Sequence, residues 1–274
     1  MGTVTTSTVE LNDGRRLPAL GFGTYLLSPG RQTQDAVRTA LDAGYRHIDT
    51  ATVYGNERDV GAALRDSGLR RPEVWLTTKL WNADHARPLA ALETSLEKLG
   101  VDSVDLWLMH WPVMRRLDSW KAMVRAREEG LAKSIGVSNF LTRHLDELAA
   151  SSDVVPAVNQ IELSPFLYGT RADTLRTCRD QGIVIEAYSP LTKGARLQHP
   201  VLEEIAAYHA VTPAQVLLRW SLQRDFVPLP RSSNPDRIRA NADLDGFTLT
   251  NDELRRLDAL DEGLTTGWDP AGAD

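Results

Sequence analysis

Four polar residues of different types stand at or just after the ends of short apolar runs: Asp49, Tyr54, Lys79 and His110. A phenol can donate a proton, but with a pKa of about 10 it is a slow acid at neutral pH. A lysine ammonium beside it would lower that pKa, and an aspartate would hold the ammonium in place. A histidine within hydrogen-bond reach would orient a carbonyl group. Together the four groups suit protonation of a carbonyl oxygen as hydride arrives from a nicotinamide.

The elements that would position these groups alternate along the chain. Short apolar runs of strand length are separated by longer segments with helical spacing, such as residues 33–44, 90–100 and 212–222. Such alternation is typical of a parallel sheet. Eight strand–helix units within 274 residues fit a closed (β/α)8 TIM barrel, and a doubly wound open sheet is the alternative. The predicted strands are residues 20–24, 46–50, 74–80, 104–110, 132–138, 157–162, 183–189 and 226–230.

In a barrel, the carboxyl ends of all strands form one rim, where the four polar groups would converge. Residues 9–11 and 16–18 flank Asn12-Asp13-Gly14, a turn sequence that predicts a β-hairpin able to plug the N-terminal end of the barrel. We expect extra helices in the C-terminal part. Because no linker rich in Pro, Gly or Ser interrupts the chain, residues 1–274 are predicted to form a single barrel domain.

Composition and charge exclude several classes of protein. Hydrophobic residues make up 42% and charged residues 25% of the chain, as in a folded globular protein. The net charge of -6 repels polyanions, which argues against nucleic acid as a partner. The first residues lack the pattern of a signal peptide, and no apolar run approaches the roughly 20 residues that span a bilayer. The single cysteine, Cys178, cannot form an internal disulfide, so nothing points to an oxidising compartment. We therefore expect a cytoplasmic protein with no membrane partner.

Several alternative motifs are incomplete. Gly21-Phe22-Gly23 begins like a dinucleotide fingerprint, but the third glycine would fall at Leu26, so we reject a Rossmann fold. Gly136-Val137-Ser138-Asn139-Phe140 lacks the second glycine of a nucleophile elbow, which argues against a serine hydrolase. The six histidines show no metal-ligand spacing, so no metal is expected.

Seven sequence blocks occur in a characteristic order. They are residues 42–51 (DAGYRHIDTA), 54–57 (YGNE), 79–82 (KLWN), 105–112 (DLWLMHWP), 135–140 (IGVSNF), 159–162 (NQIE) and 187–191 (AYSPL). With these blocks the chain resembles the aldo-keto reductase family over nearly its whole length. It is most similar to the compact bacterial members of the 2,5-diketo-D-gluconate reductase type.

The resemblance implies an NADPH-dependent reductase of aldehydes and ketones whose cofactor, NADPH/NADP+, lies across the barrel rim. Tyr54 would be the acid, Lys79 would tune its pKa, Asp49 would hold the lysine, and His110 would orient the substrate. Two other interpretations stay open: an NADP-binding barrel that acts as a regulatory or binding subunit, and an alcohol dehydrogenase working mainly in the oxidative direction.

The resemblance also implies which residues bind the cofactor. Ser138, Asn139 and Gln160 would hold the carboxamide, although Ser138 and Asn139 alone also read as a helix N-cap. Tyr188 would stack on the nicotinamide ring, or is a core aromatic residue. Arg231 and Arg237 would grip a 2′-phosphate, which favours NADPH over NADH. The full predicted set is Gly23, Thr24, Asp49, Ser138, Asn139, Gln160, Tyr188, Ser189, Leu191, Lys193, Arg231, Ser232, Ser233, Asn234, Arg237 and Asn241.

The substrate, a small carbonyl compound, would bind among aromatic side chains. We expect Tyr25, Trp81 and Trp111 to line this pocket together with Tyr54 and His110. Because residues 113–119 and 264–274 are short, the pocket is expected to be open. Trp268 in the second segment is either a lid residue or an anchor on the surface. We expect the protein to act as a monomer.

Overall fold

The computed structural model describes residues 3–272, which form ten strands and ten α-helices. The strands are β1 (Thr8–Glu10), β2 (Arg16–Pro18), β3 (Phe22–Gly23), β4 (His47–Asp49), β5 (Trp75–Leu80), β6 (Val104–Met109), β7 (Ala132–Ser138), β8 (Val158–Glu162), β9 (Val184–Tyr188) and β10 (Val227–Leu229). The helices are α1 (Arg31–Asp42), α2 (Glu57–Asp66), α3 (Pro88–Leu99), α4 (Arg116–Glu128), α5 (Thr142–Ser151), α6 (Ala172–Asp180), α7 (Pro200–His209), α8 (Pro213–Gln223), α9 (Pro235–Ala242) and α10 (Asn251–Asp258).

Strands β3 to β10 form one parallel sheet in chain order, and each strand pairs with the next. The two edges of this sheet meet, because Gly21 N–H donates to Pro228 O (3.1 Å) and Gly23 N–H donates to Pro230 O (3.0 Å). A Cβ at Gly21 would lie 2.4 Å from a methyl carbon of Leu229, so a side chain there would push the edges apart. The eight-stranded barrel is therefore confirmed, and the open-sheet alternative is wrong. The Gly-x-Gly pair lies at the barrel seam.

The N-terminal hairpin closes one end of the barrel, as predicted. Strands β1 and β2 pair antiparallel, with Val9 opposite Leu17. Leu11 and Leu17 are buried and pack with apolar barrel residues that include Leu106 and Val158. This end of the barrel is thus filled by hydrocarbon, which leaves the opposite rim for polar side chains.

The bounds of two strands and one helix differ from those predicted from the sequence. Strand β3 has two residues and β10 has three, where five were predicted for each. Beyond these residues the two strands are joined only by single backbone hydrogen bonds, which do not extend either strand. Helix α3 begins at Pro88, two residues before the predicted start. Proline at the first helical position has no N–H to leave unpaired, so a helix can begin there although the position is not apolar. Helix α10 follows the barrel, so the additional C-terminal helix is confirmed.

Alternate residues along each barrel strand point outward to the helices or inward to the barrel axis. Outward residues such as Ile48, Leu76 and Trp107 belong to the large apolar core. The inward residues near the rim include the polar side chains of Asp49, Lys79 and Gln160, which are buried. None of the helices in the described part of the chain is long and apolar enough to cross a membrane.

Candidate active site

Lys79 is the centre of a buried cluster at the carboxyl ends of β4 and β5. Its side chain is fully buried, and its ammonium donates to Asp49 Oδ1 (2.5 Å), to Thr50 O (3.0 Å) and to the Tyr54 hydroxyl oxygen (3.3 Å). An ammonium group has three hydrogens and no acceptor site. All three are accounted for, so the orientation of the lysine is fixed by its partners.

The same count fixes the role of the Tyr54 hydroxyl. Because Lys79 can only donate, the phenol oxygen is the acceptor in their hydrogen bond. Among the described residues no protein group accepts the phenol's own hydrogen, and Tyr54 lines the cleft described below. The proton of Tyr54 is therefore available to a ligand in that cleft.

The pKa of Tyr54 is shifted opposite to the sequence-based expectation. Burial, then the negative charge of Asp49 and the neighbouring Tyr25, raise the pKa of the phenol well above 10. Lys79, whose ammonium lies 3.3 Å from the phenol oxygen, does not bring this pKa below its ordinary value. The physical reason is that Asp49, at 2.5 Å, balances the charge of Lys79, so desolvation dominates. Tyr54 is held in its protonated form.

Hydrogen bonds of the buried Asn56 side chain position the short turn Thr52–Tyr54. Asn56 is fully buried, and its amide donates to Thr24 O (3.0 Å) and to Leu27 O (3.3 Å). Its carbonyl oxygen accepts from the Thr50 hydroxyl (2.9 Å). The turn that carries Tyr54 is thereby fixed to the ends of β3 and β4.

His110 follows β6 and faces the Tyr54 ring, with a distance of 5.8 Å between ring centroids. Burial and the positive charge of Lys79 lower the pKa of His110 well below 6.5. The imidazole is therefore neutral at neutral pH, and a neutral imidazole carries one donor and one acceptor. It can orient a carbonyl oxygen without itself being the stronger proton source.

Next to the Lys79 cluster, polar side chains cross the barrel axis. Gln160 on β8 donates from Nε2 to Asp49 Oδ2 (2.9 Å) and to Glu186 Oε2 (2.7 Å). His47 lies 3.7 Å from Glu186 and contacts the Thr77 hydroxyl at 3.1 Å. These residues come from β4, β5, β8 and β9, so their contacts pass through the barrel interior.

Burial sets the ionisation of the two remaining titratable groups on the axis. Desolvation, followed by the negative charge of Asp49, raises the pKa of Glu186 from 4.5 to about 8. Desolvation and the charge of Lys79 lower the pKa of His47 from 6.5 to about 3. Both groups are therefore mainly neutral at neutral pH. Sequence reasoning missed them, although a glutamate inside an apolar strand is a signal that could have been noticed.

A cleft of about 990 Å³ opens at this rim. Thr24 and Lys79 do not line its wall, because both are fully buried; the Thr24 hydroxyl donates to Asp49 O at 2.9 Å instead. The remaining predicted residues all do: Gly23, Tyr25, Asp49, Tyr54, Trp81, His110, Trp111, Ser138, Asn139, Gln160, Tyr188, Ser189, Leu191, Lys193, Arg231, Ser232, Ser233, Asn234, Arg237 and Asn241.

Three of the predicted cofactor-binding residues already have protein partners. Arg231 donates to the backbone oxygens of Tyr25 (2.8 Å) and Leu26 (3.2 Å), so it also fixes the loop after β3. The Asn234 side chain caps α9 by accepting from two backbone N–H groups. Lys193 donates to Thr266 O at 2.5 Å. Arg237 is exposed on α9, and its side chain remains the freest cation at this end of the cleft.

The other end of the cleft is aromatic. Trp111 packs edge-on against Trp268, with a centroid distance of 5.4 Å, and Trp268 is 70% exposed. The structure thus places Trp268 on the cleft wall instead of at a remote surface. Leu26 and Val53 also line the cleft and are exposed; their sequence context gives no sign of this, because each lies in an ordinary loop. No cluster of three or more potential metal ligands occurs among residues 3–272.

Known proteins share this architecture and much of this sequence. The 9,11-endoperoxide prostaglandin H2 reductase of Trypanosoma cruzi is 46% identical over 269 residues, which cover 96% of this chain and 94% of the relative. Morphine 6-dehydrogenase of Pseudomonas putida is 45% identical over 284 residues, covering 97% and 95%. A Bombyx mori aldo-keto reductase solved in complex with NADP is 35% identical, with a TM-score of 0.89 over 95% of this chain and 94% of that one.

The family assignment rests on the sequence as well as on the fold. Residues 19–262, which include every barrel strand, match the aldo/keto reductase family. The matches support the family as a whole and do not single out the 2,5-diketo-D-gluconate reductase type. The chain belongs to the aldo/keto reductase family.

Proposed function

We propose that this protein is an NADPH-dependent reductase of aldehydes and ketones in which Tyr54 protonates the carbonyl oxygen. The observation that carries the proposal is the hydrogen bond in which Tyr54 accepts from Lys79 at 3.3 Å, because it leaves the phenol proton directed to the cleft. Lys79 and Asp49 hold the phenol in place. His110, neutral and beside the phenol, orients the carbonyl oxygen.

The cofactor is NADP(H), and the cleft residues fit it. The cleft volume of about 990 Å³ is at the upper end of the usual range for ligand pockets, as an extended dinucleotide requires. When bound, the cofactor supplies the hydride. Gln160, Asn139 and Ser138 lie at the end of the cleft near Tyr54 and His110, where they would hold the carboxamide.

The opposite end of the cleft favours a phosphate. Lys193, Arg231 and Arg237 line it in a chain whose net charge is -6, so the positive charge is local. Arg237 is the residue that we assign to the 2′-phosphate, because Arg231 is already engaged with loop carbonyls. Arginine matches phosphate with several donors in one plane. NADPH is therefore preferred to NADH.

The substrate is a carbonyl compound with an apolar body. Trp81, Trp111 and Trp268 line the cleft close to His110, and Tyr25 lies 5.1 Å from the Tyr54 ring. The exposed Trp268 leaves the pocket open to substituents of different size. All these residues come from one chain, so the cleft is complete in the proposed monomer.

Two other functions are less well supported. Oxidation of an alcohol is the reverse of the same reaction, and one relative is named morphine 6-dehydrogenase. Reduction starts from a protonated Tyr54, the state that burial favours. A regulatory subunit that only binds the cofactor has no need of the Lys79–Tyr54 contact.

The experiment is NADPH oxidation with a panel of aldehydes, ketones and sugar-derived dicarbonyls, comparing wild type, Tyr54→Phe and Tyr208→Phe. A positioned general acid contributes about 10²–10⁴-fold, so kcat should fall by that factor in Tyr54→Phe. Tyr208→Phe is the matched control, because it removes an exposed phenol on α7 that does not line the cleft, and its kcat should change little. Undiminished activity in Tyr54→Phe would remove the tyrosine from the acid role. Tight NADPH binding without turnover of any carbonyl would support the regulatory subunit.

A further inference from the structure

Gln160 is held between two buried carboxyl groups. Its Nε2 atom lies 2.9 Å from Asp49 Oδ2 and 2.7 Å from Glu186 Oε2. Gln160, Asp49 and Glu186 expose 2%, 3% and 0% of their surfaces, so water does not compete for these bonds. Asp49 already serves Lys79 through its other oxygen. Glu186 has no contact with Lys79 or Tyr54 that would explain a buried acid at this position.

The number of donors and acceptors in the Gln160 amide explains why a carboxyl group at position 186 matters. A primary amide has two N–H hydrogens and one carbonyl oxygen. The two carboxyl groups take both hydrogens, so Oε1 of Gln160 must point away from them. No donor among the described residues reaches Oε1, the atom is not among the buried polar atoms that lack a partner, and Gln160 lines the cleft. Oε1 is thus an acceptor presented to the cleft.

We propose that Glu186 is a positioning residue that fixes the Gln160 amide so that Oε1 accepts from the N–H group of the cofactor's carboxamide. The inference rests on the proposed function, because it assumes that the nicotinamide lies at this end of the cleft. Glu186 itself touches neither cofactor nor substrate. Glu186 disfavours the opposite orientation of the Gln160 amide, in which Nε2 would face the cleft. The cleft therefore presents an acceptor, which pairs with a donor on the ligand.

The groups that face Glu186 allow this role in either protonation state. His47 from β4 lies 3.7 Å from Oε1, Asp49 lies across Gln160, and the charge of Lys79 acts on the carboxyl from β5. Among residues 3–272, Oε1 of Glu186 has no hydrogen-bond partner, so a proton on the carboxyl can reside there. Oε2 then still accepts from Gln160. Glutamine at position 186 can offer its carbonyl oxygen in the same place, whereas leucine offers no acceptor.

The test measures equilibrium binding of NADP+ and of its 3-acetylpyridine analogue, in which a methyl group replaces the carboxamide NH2. Wild type, Glu186→Gln and Glu186→Leu are titrated by quenching of tryptophan fluorescence. The analogue leaves Oε1 unpaired, so wild type should bind NADP+ about tenfold or more tightly than the analogue. In Glu186→Leu this ratio should fall about 5- to 10-fold, mainly through weaker NADP+ binding. Glu186→Gln should keep the wild-type ratio.

A purely structural role for Glu186 would weaken both ligands equally and leave the ratio unchanged, and that result overturns the inference. A wild-type ratio near one also overturns it. If the leucine variant does not fold, Glu186→Ala removes the same acceptor without adding bulk. If wild type binds NADP+ and needs Tyr54 for turnover but the ratio does not depend on residue 186, only this inference fails. If wild type does not bind NADP+, the proposed function fails as well.

Discussion

Replacing Glu186 by glutamine should change how the stability of the barrel depends on pH. Burial and the charge of Asp49 raise the pKa of Glu186 from 4.5 to about 8 in the folded protein. In the unfolded chain the carboxyl titrates at its ordinary value, so unfolding releases a proton at any pH between the two values. The contribution of the neutral Glu186 carboxyl to the free energy of unfolding is therefore complete below pH 4.5, and it is lost as the pH rises toward 8.

The size of the effect follows from the two pKa values. One pH unit between them corresponds to about 1.4 kcal/mol, so the interval from 4.5 to about 8 corresponds to at most about 5 kcal/mol. Glutamine does not titrate. The free energy of unfolding of Glu186→Gln minus that of wild type should therefore rise by several kcal/mol between pH 5 and 8. His47, whose lowered pKa costs stability as the pH falls, is present in both proteins and cancels in this difference.

The assay is urea denaturation followed by tryptophan fluorescence at a series of pH values from about 5 to 8, on both proteins. Glu128→Gln, at an exposed carboxylate on α4, is the control, and its difference from wild type should stay nearly constant with pH. A difference for Glu186→Gln that is flat, or that shrinks as the pH rises, would refute the reasoning. It would mean that the carboxyl is ionised inside the barrel.

Two further predictions concern the ion pair and the phosphate end. Asp49→Asn leaves the buried Lys79 ammonium without its counter-ion, so the free energy of unfolding should fall by about 3–5 kcal/mol and kcat should fall with it. Asp173→Asn, in an exposed ion pair with Arg176, should cost less than about 1 kcal/mol in the same denaturation experiment. Arg237→Ala should raise the KM for NADPH about tenfold and leave the KM for NADH unchanged; equal changes for both cofactors would contradict the assignment. Arg239→Ala, on the same helix but paired with Asp236, is its control.

The rim residues could be predicted from the sequence because one geometric rule places them. Parallel barrel strands end on one face, so polar residues at the ends of consecutive strands must be neighbours. Asp49, Lys79 and His110 satisfy this rule, and Tyr54 follows Asp49 closely enough to share the rim. Gly21 and Gly23 were visible in the sequence, but the close contact that requires a glycine at position 21 depends on β10 lying opposite.

The axis network could not be predicted in the same way. His47 and Glu186 belong to β4 and β9, which are not neighbours in the sheet and meet only through the interior. Their contact depends on the closure and diameter of the barrel, which residue spacing does not encode. The engagement of Arg231 with loop carbonyls likewise depends on the seam between β3 and β10. In each case the missing information is a distance across the barrel.

The charge balance of the barrel axis bears on the proposed reduction. With Glu186 and His47 mainly neutral, the neighbouring charges of Lys79 and Asp49 form an ion pair and balance each other. A buried region of low dielectric constant favours that balance, because an unpaired charge there is costly. Burial, and then the negative charge of Asp49, raise the pKa of the Tyr54 phenol. Tyr54 is therefore protonated at neutral pH, which is the state that the proposed reduction of a carbonyl requires at its start.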